Sequence, residues 1–149
     1  MSVQVLIAVL LGLAATVEDL WHRNISNWIP LSALLAGFAW HIAEFGWRGA
    51  GSAAAGAGVG FLVFLVFYLL GGMGGGDVKL MSGFGALLGL SRLIEAAIWT
   101  AIIGAVLAAV VIAGSALRQW VKKDAAKKPL AIPYAPAITA GVWLSLVPR

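Results

Sequence analysis

Apolar residues along the chain fall into about six segments, and the short stretches between them hold most of the charged residues. The segments run from Val3 to about Val17, from Trp28 to about Phe45, over Ala53–Leu70, over Leu80–Leu90, over Leu93–Leu117, and from about Ala131 to Val147. A membrane-spanning helix needs roughly 17 to 25 mostly apolar residues. The pattern therefore predicts an all-α, polytopic membrane protein with about six transmembrane helices.

The fourth segment, Leu80–Leu90, is short for a full span and contains glycine. Only Ser91 and Arg92 separate it from the fifth segment. Two arrangements fit this spacing: a tight hairpin of two helices, or one interrupted helix. With one interrupted helix, every later segment would start from the opposite side of the membrane.

Composition supports lipid as the surrounding solvent. Of the 149 residues, 62% are hydrophobic and 11% are charged, whereas soluble domains carry about 25% charged residues. The net charge is +4, but five of the ten basic residues lie between Arg118 and Lys128. Such a cluster suits a cytoplasmic loop at an anionic membrane surface, and no nucleic-acid-binding motif accompanies it.

Cysteine and histidine usage excludes several chemistries. The chain has no cysteine and two histidines. Thiol catalysis, disulfides and iron–sulfur clusters are therefore excluded, and a histidine-rich metal site is not expected. We predict a protein without a metal ion or other cofactor.

Basic residues also predict the orientation. With the N-terminus outside, the inner loops hold seven of the ten basic residues: Arg23, Lys79, Arg118, Lys122, Lys123, Lys127 and Lys128. The outer side holds Arg48, Arg92 and Arg149. Seven against three favours this orientation, because cytoplasmic loops are enriched in Lys and Arg.

Two of the six acids are placed for chemistry by this topology. Asp19 follows the first segment, so one crossing brings it to the inner face. Asp77 precedes the fourth segment, so three crossings in total bring it to the same face. An ionisable group at membrane depth is costly and suggests function. The simpler interpretation is that acids at helix ends face interfacial water. Glu18 competes with Asp19, although adjacent helical residues point about 100° apart.

A run of glycines precedes Asp77. Five of residues 71–76 are glycine, with Met73 between them. Such a backbone is irregular and can approach another chain closely, and irregular backbone at membrane depth needs cover from protein or a water-filled cavity. Asp77 is therefore placed to meet an extended peptide. A flexible loop with a solvated Asp is the alternative, whereas the spacing does not match a phosphate-binding loop.

Three stretches resemble the type IV prepilin peptidases, a family of membrane aspartyl peptidases with a Gly-x-Gly-Asp motif. Residues 74–80 read Gly-Gly-Gly-Asp-Val-Lys-Leu and contain that motif. Residues 19–27 are similar to the family's Asp, basic residues, then Ile-Pro-Asn, with Ser26 in place of Pro. Residues 132–137 are similar to its Ile-Pro-Tyr/Phe-Gly-Pro element, with Ala135 in place of Gly.

The resemblance implies a catalytic pair, Asp19 and Asp77, at the cytoplasmic face. The matching motif residues that would support this pair are Asn27, Gly74, Gly75, Gly76, Lys79, Pro133, Tyr134 and Pro136. Lys79 could bind substrate, although anchoring at lipid headgroups is the favoured interpretation. The family's two-carboxylate chemistry shares one proton between the acids, so that one activates water and the other polarises the scissile carbonyl. Either aspartate could take either role.

The resemblance also predicts the biology. The chain resembles the short peptidases of tight-adherence (Flp) pilus systems, the TadV/CpaA type: one membrane-embedded peptidase domain over residues 1–149, without the family's N-terminal methyltransferase region. The implied partners are membrane lipids and a prepilin, cut after a Gly behind its short basic leader. The implied location is the bacterial inner membrane. The sequence predicts no oligomeric state.

Other functions remain open at this stage. Paired membrane acids also serve proton-coupled carriers, although carriers more often show repeat symmetry and acids near the midplane. A non-catalytic assembly protein belongs to the same alternative. A related peptidase acting on preflagellin or pseudopilins is a second alternative, and an inactive peptidase is a third.

Overall fold

A computed structural model of the chain describes residues 2–122 and 132–147. Its four helices are α1 (Val3–His22), α2 (Trp28–Leu69), α3 (Gly75–Lys122) and α4 (Ala135–Ser145). Within these residues there is no strand. The predicted all-α class is therefore confirmed for the described part of the chain.

The number of helices differs from the six segments predicted. Three helical stretches are long and apolar enough to cross a membrane: Val3–His22, Trp28–Leu69 and Gly75–Leu117. The predicted second and third segments lie together in α2, and the fourth and fifth lie together in α3. The reason is local. Residues 47–52 are polar enough to break the hydropathy pattern, but they contain no proline and remain helical.

Both long helices are interrupted at a glycine with positive φ. Gly46 has φ 60° and ψ −145° inside α2, and Gly89 has φ 72° and ψ 171° inside α3. Glycine tolerates these angles, whereas a side chain would be strained there. A straight helix of 42 residues would measure about 63 Å, twice the roughly 30 Å of a bilayer core. The two interruptions therefore divide helices that are too long for one straight crossing.

Close backbone approaches show the direction of the chain on either side of Gly46. They join Pro30 with Gly83, Gly37 with Ala86, Gly56 with Gly85, and Gly60 with Met81. Before Gly46 the partner's number rises along α2, and after Gly46 it falls. The two parts of α2, residues 28–45 and 47–69, thus run in opposite directions along the first part of α3.

The remaining contacts order α1, α3 and α4. They join Gln4 with Leu87, Ala8 with Trp143, Gly12 with Thr139, Thr100 with Gly141, and Gly104 with Ala137. From these pairs, α4 is antiparallel both to α1 and to residues 90–117 of α3. Residues 75–88 are also antiparallel to α1, because Leu87 contacts Gln4 whereas Asp77 lines a pocket with Asp19, so α3 reverses at Gly89. Its first part, with Leu80, Met81, Phe84 and Leu87 fully buried, forms the centre of the core.

Gly56 and Gly58 provide a matched test of this packing. A Cβ at Gly56 would clash with the backbone of Gly85, whereas a Cβ at Gly58 would meet no atom within 4 Å. We expect Gly56→Ala to lower the free energy of unfolding by about 1–3 kcal/mol, as overpacking does. Gly58→Ala should leave it unchanged or raise it slightly, because Ala is the better helix former. Unfolding of both variants in mixed micelles tests this, and equal stabilities would contradict the packing.

Candidate active site

The buried face of α1 explains why Asp19 points into the protein. One helical stripe carries all of its buried residues: Gln4, Ala8, Gly12, Ala15 and Asp19. These positions recur every three or four residues, which keeps them on one side of the helix. The small residues allow close packing against Thr139 and Trp143 of α4. Asp19 ends this stripe, so its carboxylate is carried into the core by the same face.

Asp19 accepts a hydrogen bond from the start of α4. The backbone N–H of Ala135 donates to Asp19 Oδ2 at 3.1 Å, and the contact is buried. The first N–H groups of a helix have no partner within it, and their positive dipole end favours a carboxylate. Pro136 follows and has no N–H to offer. The family-like element at residues 132–137 thus contacts the first aspartate through its backbone.

Asp77 is held by the first turn of its own helix. It is the third residue of α3, and its Oδ2 accepts from the backbone N–H of Gly74 at 3.0 Å. The Asp77 N–H in turn donates to the Gly74 carbonyl at 3.1 Å. The bond from the Gly74 N–H to the Asp77 side chain is the one that the third helical residue makes in a capping box. It fixes the carboxylate at the helix N-terminus, where the helix dipole favours negative charge.

The two aspartates line one small pocket at the same end of the bundle. The pocket has a volume of about 150 Å³ and is also lined by Arg23, Asn24, Ile25, Gly74, Gly76 and Ile132. Asp19 is 8% exposed and Asp77 is 6% exposed. The structure thus brings together two acids that are 58 positions apart in sequence.

One oxygen of Asp77 is left without a partner. Its Oδ1 is buried and accepts no hydrogen bond from any residue that the structure describes. A buried carboxylate oxygen without a partner is costly, because desolvation is not offset. The cost is relieved if a proton, a water molecule or a substrate group occupies this position. The arrangement therefore leaves one carboxylate oxygen of Asp77 available to such a group.

Glu18, the competing acid, lies outside this pocket. Its Oε2 accepts from the backbone N–H of Ser26 at 2.7 Å, and its side chain is only partly buried. The contact ties α1 to the loop at residues 23–27. In the same loop, Ile25 packs on Gly76, where a Cβ would stand 3.3 Å from the Ile25 side chain. Glu18 therefore holds the loop in shape, and the loop covers the glycine run.

Lys79 and Asn27 contact each other on the exposed side of this loop. Lys79 Nζ donates to Asn27 Oδ1 at 3.0 Å. Asn27 stands at the N-cap position of α2, but its side chain makes no capping hydrogen bond there. The pair instead links the start of α2 to the first turn of α3. Neither side chain lines the aspartate pocket.

The other motif residues divide between the pocket and its surroundings. Gly74 and Gly76 line the aspartate pocket, whereas Gly75 lies against Tyr68. Tyr134 lies against Gly104 and lines an apolar groove beside the pocket. Pro133 follows Ile132, which lines the pocket, and Pro136 lies in the first turn of α4.

Several contributions to the pocket were not among the predicted site residues. One is the backbone N–H of Ala135, which donates to Asp19 and which no pattern of side chains can reveal. The others are the lining residues Asn24, Ile25 and Ile132, and Arg23, which ends α1 in the left-handed conformation with φ 53°. Arg23 directly precedes Asn24 and Ile25 in the family-like stretch at residues 19–27, and this position could have indicated that it lies at the site. In the part of the chain that the structure describes, no group of three or more His, Cys, Asp or Glu could hold a metal ion.

Comparison with known proteins defines the class to which this fold and site belong. Residues 5–109, which include both aspartates, match the type IV leader peptidase family, and the chain belongs to that family of peptidases. It is 38% identical over 96 residues to the prepilin leader peptidase/N-methyltransferase of Bacillus subtilis (strain 168). The aligned part covers 64% of this chain and 35% of that protein, so the chain spans about a third of the relative's length. No solved structure matches the chain.

Proposed function

We propose that the chain is a membrane aspartyl endopeptidase that removes the short basic leader from prepilins, with Flp-type prepilins as its substrates. The observation that carries the proposal is the single pocket lined by Asp19 and Asp77, both buried and both fixed by backbone N–H groups. The family match and the relative named as a prepilin leader peptidase support the substrate class. The bond cut follows a Gly at the cytoplasmic end of the prepilin's hydrophobic segment.

The proposed mechanism uses no group other than the two carboxyls and water. Two acids in one small buried pocket cannot both ionise cheaply, so they share a proton and act as a unit. The ionised acid takes a proton from the attacking water. The protonated acid polarises the scissile carbonyl and then gives its proton to the leaving amine. Asp77 Oδ1, which has no protein partner in the described chain, is free for either role.

The proposed topology has six membrane crossings with the N-terminus outside. The reversals at Gly46 and Gly89 support it, because they turn two over-long helices into four shorter passes between the ends of the bundle. With α1 and α4 the passes number six. This order brings Asp19 and Asp77 to the end where basic loop residues are most frequent. By the positive-inside rule that end is cytoplasmic, in the bacterial inner membrane.

An apolar groove beside the aspartate pocket fits the hydrophobic helix of a prepilin. It measures about 210 Å³ and lies between residues 63–67 and residues 97–108. The wall from α3 is made of small residues: Ala97, Ala101, Gly104, Ala105 and Ala108. Small residues permit close helix approach in lipid. The groove ends at Gly72 and Met73, directly before the run that carries Asp77, so a helix lying in it would present its cytoplasmic end to the aspartates.

Filling this groove is expected to slow cleavage without disturbing the fold. Ala105→Phe places a large side chain in the groove, whereas Val106→Phe places it on the neighbouring exposed face, outside the groove. Losing the groove should weaken substrate binding by about 1–3 kcal/mol, or roughly tenfold to hundredfold in kcat/KM. Initial rates of prepilin cleavage, compared at matched membrane levels, measure the effect. Equal rates for the two variants would contradict the docking of a helix in this groove.

Co-expression with prepilins of different classes tests the function itself. We expect leader removal from a Flp-type prepilin, seen as a shorter product whose N-terminus follows the leader Gly. Cleavage of a preflagellin or a pseudopilin in its place would keep the peptidase and overturn the Flp assignment. If the protein is in the membrane and cleaves none of the three, the peptidase proposal fails and the proton-coupled carrier becomes the better account.

A further inference from the structure

A polar cavity lies at the end of the bundle opposite the aspartates. It has a volume of about 520 Å³, and its lining includes Gln4, His41, Glu44, Arg48, Ser52 and Arg92. Gln4 and Asp19 lie on the same face of α1, and fifteen residues of helix separate them by about 22 Å. Phe45 and Leu88, which directly precede the interruptions at Gly46 and Gly89, both line this cavity. None of its residues belongs to the peptidase pocket.

His41 is a buried polar residue in the lining of the cavity. It is 7% exposed, and neither Nδ1 nor Nε2 has a hydrogen-bond partner among the residues described. A neutral imidazole carries one donor and one acceptor, and leaving both unpaired in a buried place is costly. The ring is held in place, since a Cβ on Gly89 would stand 2.9 Å from His41 Cε1 and 2.8 Å from Ser52 Oγ. This geometry indicates a group that is bound there and pairs with the ring.

Two arginines bring positive charge to the same cavity from different parts of the chain. Arg48 follows the reversal at Gly46, and Arg92 follows the reversal at Gly89. Neither guanidinium forms an ion pair with a described residue. A guanidinium offers a planar set of donors that matches the oxygens of a phosphate. Glu44 is the one acid of the lining, so the two arginines give the cavity a net positive charge.

The surroundings favour a lipid as the source of that phosphate. Phe45 lines the cavity and is 64% exposed, and the adjacent Trp47 is 88% exposed. An exposed Trp at a helix end is typical of the level of the lipid headgroups. Phosphate is the abundant anion at that level. We therefore propose that this cavity binds the phosphate of a phospholipid headgroup, held by Arg48 and Arg92, with His41 as its buried hydrogen-bond partner.

Binding of a short-chain lipid to the purified protein in detergent tests the proposal. The probe is dihexanoyl phosphatidic acid, with dihexanoylglycerol and inorganic phosphate as the other two arms, and affinity is read from the shift of the thermal unfolding midpoint. We expect the wild type to bind the lipid phosphate. Arg48→Gln/Arg92→Gln should weaken binding about tenfold or more, because charge-assisted hydrogen bonds are lost. Arg48→Lys/Arg92→Lys keeps the charge but not the planar set of donors, and should weaken binding less than the glutamine pair does.

Three results would overturn the proposal. The first is equal affinity of the arginine variant and the wild type for the probe. The second is equal binding of dihexanoylglycerol, which would make the phosphate irrelevant. The third is inorganic phosphate binding as tightly as the lipid, which would replace the lipid by a free anion. All three are read from binding alone, so they are independent of peptidase activity.

His41→Phe separates the histidine's hydrogen bond from its packing. The substitution keeps a ring in the cavity but removes both nitrogens. We expect weaker binding of the same probe, by about fivefold or more, with an unfolding midpoint near that of the wild type in the absence of lipid. Unchanged affinity in a folded variant would remove His41 from the site.

Discussion

Asp77→Asn is expected to abolish leader removal while leaving the protein folded. The Asn side chain still offers an oxygen to the Gly74 N–H, so the start of α3 should keep its shape. What is lost is a group that can hold and release a proton, which is worth about 10²- to 10⁴-fold in rate. Cleavage of a co-expressed prepilin, at equal amounts of enzyme in the membrane, measures the change. Near-full activity in this variant would exclude Asp77 from the chemistry.

Asp19→Asn is expected to cause a loss of similar size, for the same reason. The Asn oxygen can still accept from the Ala135 N–H, so the contact between α1 and α4 is retained. A loss of activity in this variant therefore reports on the proton and not on packing.

Glu18→Gln is the matched control for Asp19. It changes the neighbouring acid by the same neutralisation, and Gln keeps an oxygen for the Ser26 N–H. We expect this variant to cleave at nearly the wild-type rate, because Glu18 lies outside the aspartate pocket. If Glu18→Gln is inactive and Asp19→Asn is active, the first acid has been assigned to the wrong residue.

The meeting of the two aspartates could be predicted from sequence because it depends on parity alone. An even number of passes between Asp19 and Asp77 brings them to one end, and the reversal at Gly46 meets that condition because it divides α2 into two passes. The sequence also distinguishes Asp19 from Glu18, because the stripe of mostly small residues on α1 ends at Asp19.

The helix boundaries could not be predicted from hydropathy, because charge and helix continuity are separate properties. Residues 47–52 contain Arg48 and two glycines, so they resemble a loop, but their backbone hydrogen bonds stay within the helix. The actual turns occupy single glycines with positive φ. A hydropathy window is too wide to detect one residue with unusual backbone angles.

Contacts that depend on tertiary packing could not be predicted from the sequence either. The Ala135 N–H on Asp19 joins residues 116 positions apart through a backbone group. The burial of His41 depends on Gly89, which approaches it from another helix. The sequence presented His41 as one of two isolated histidines, and nothing in its own segment signals that both ring nitrogens lack a partner.

Two aspartates in one pocket are proposed to hydrolyse a prepilin. The direct measurement is the mass of the product when purified wild type, Asp19→Asn and Asp77→Asn are each given the same purified Flp-type prepilin in detergent. We predict a product beginning after the leader Gly with the wild type, and uncut prepilin with both variants. Cleavage at the same bond by either variant at close to the wild-type rate would contradict the two-aspartate mechanism.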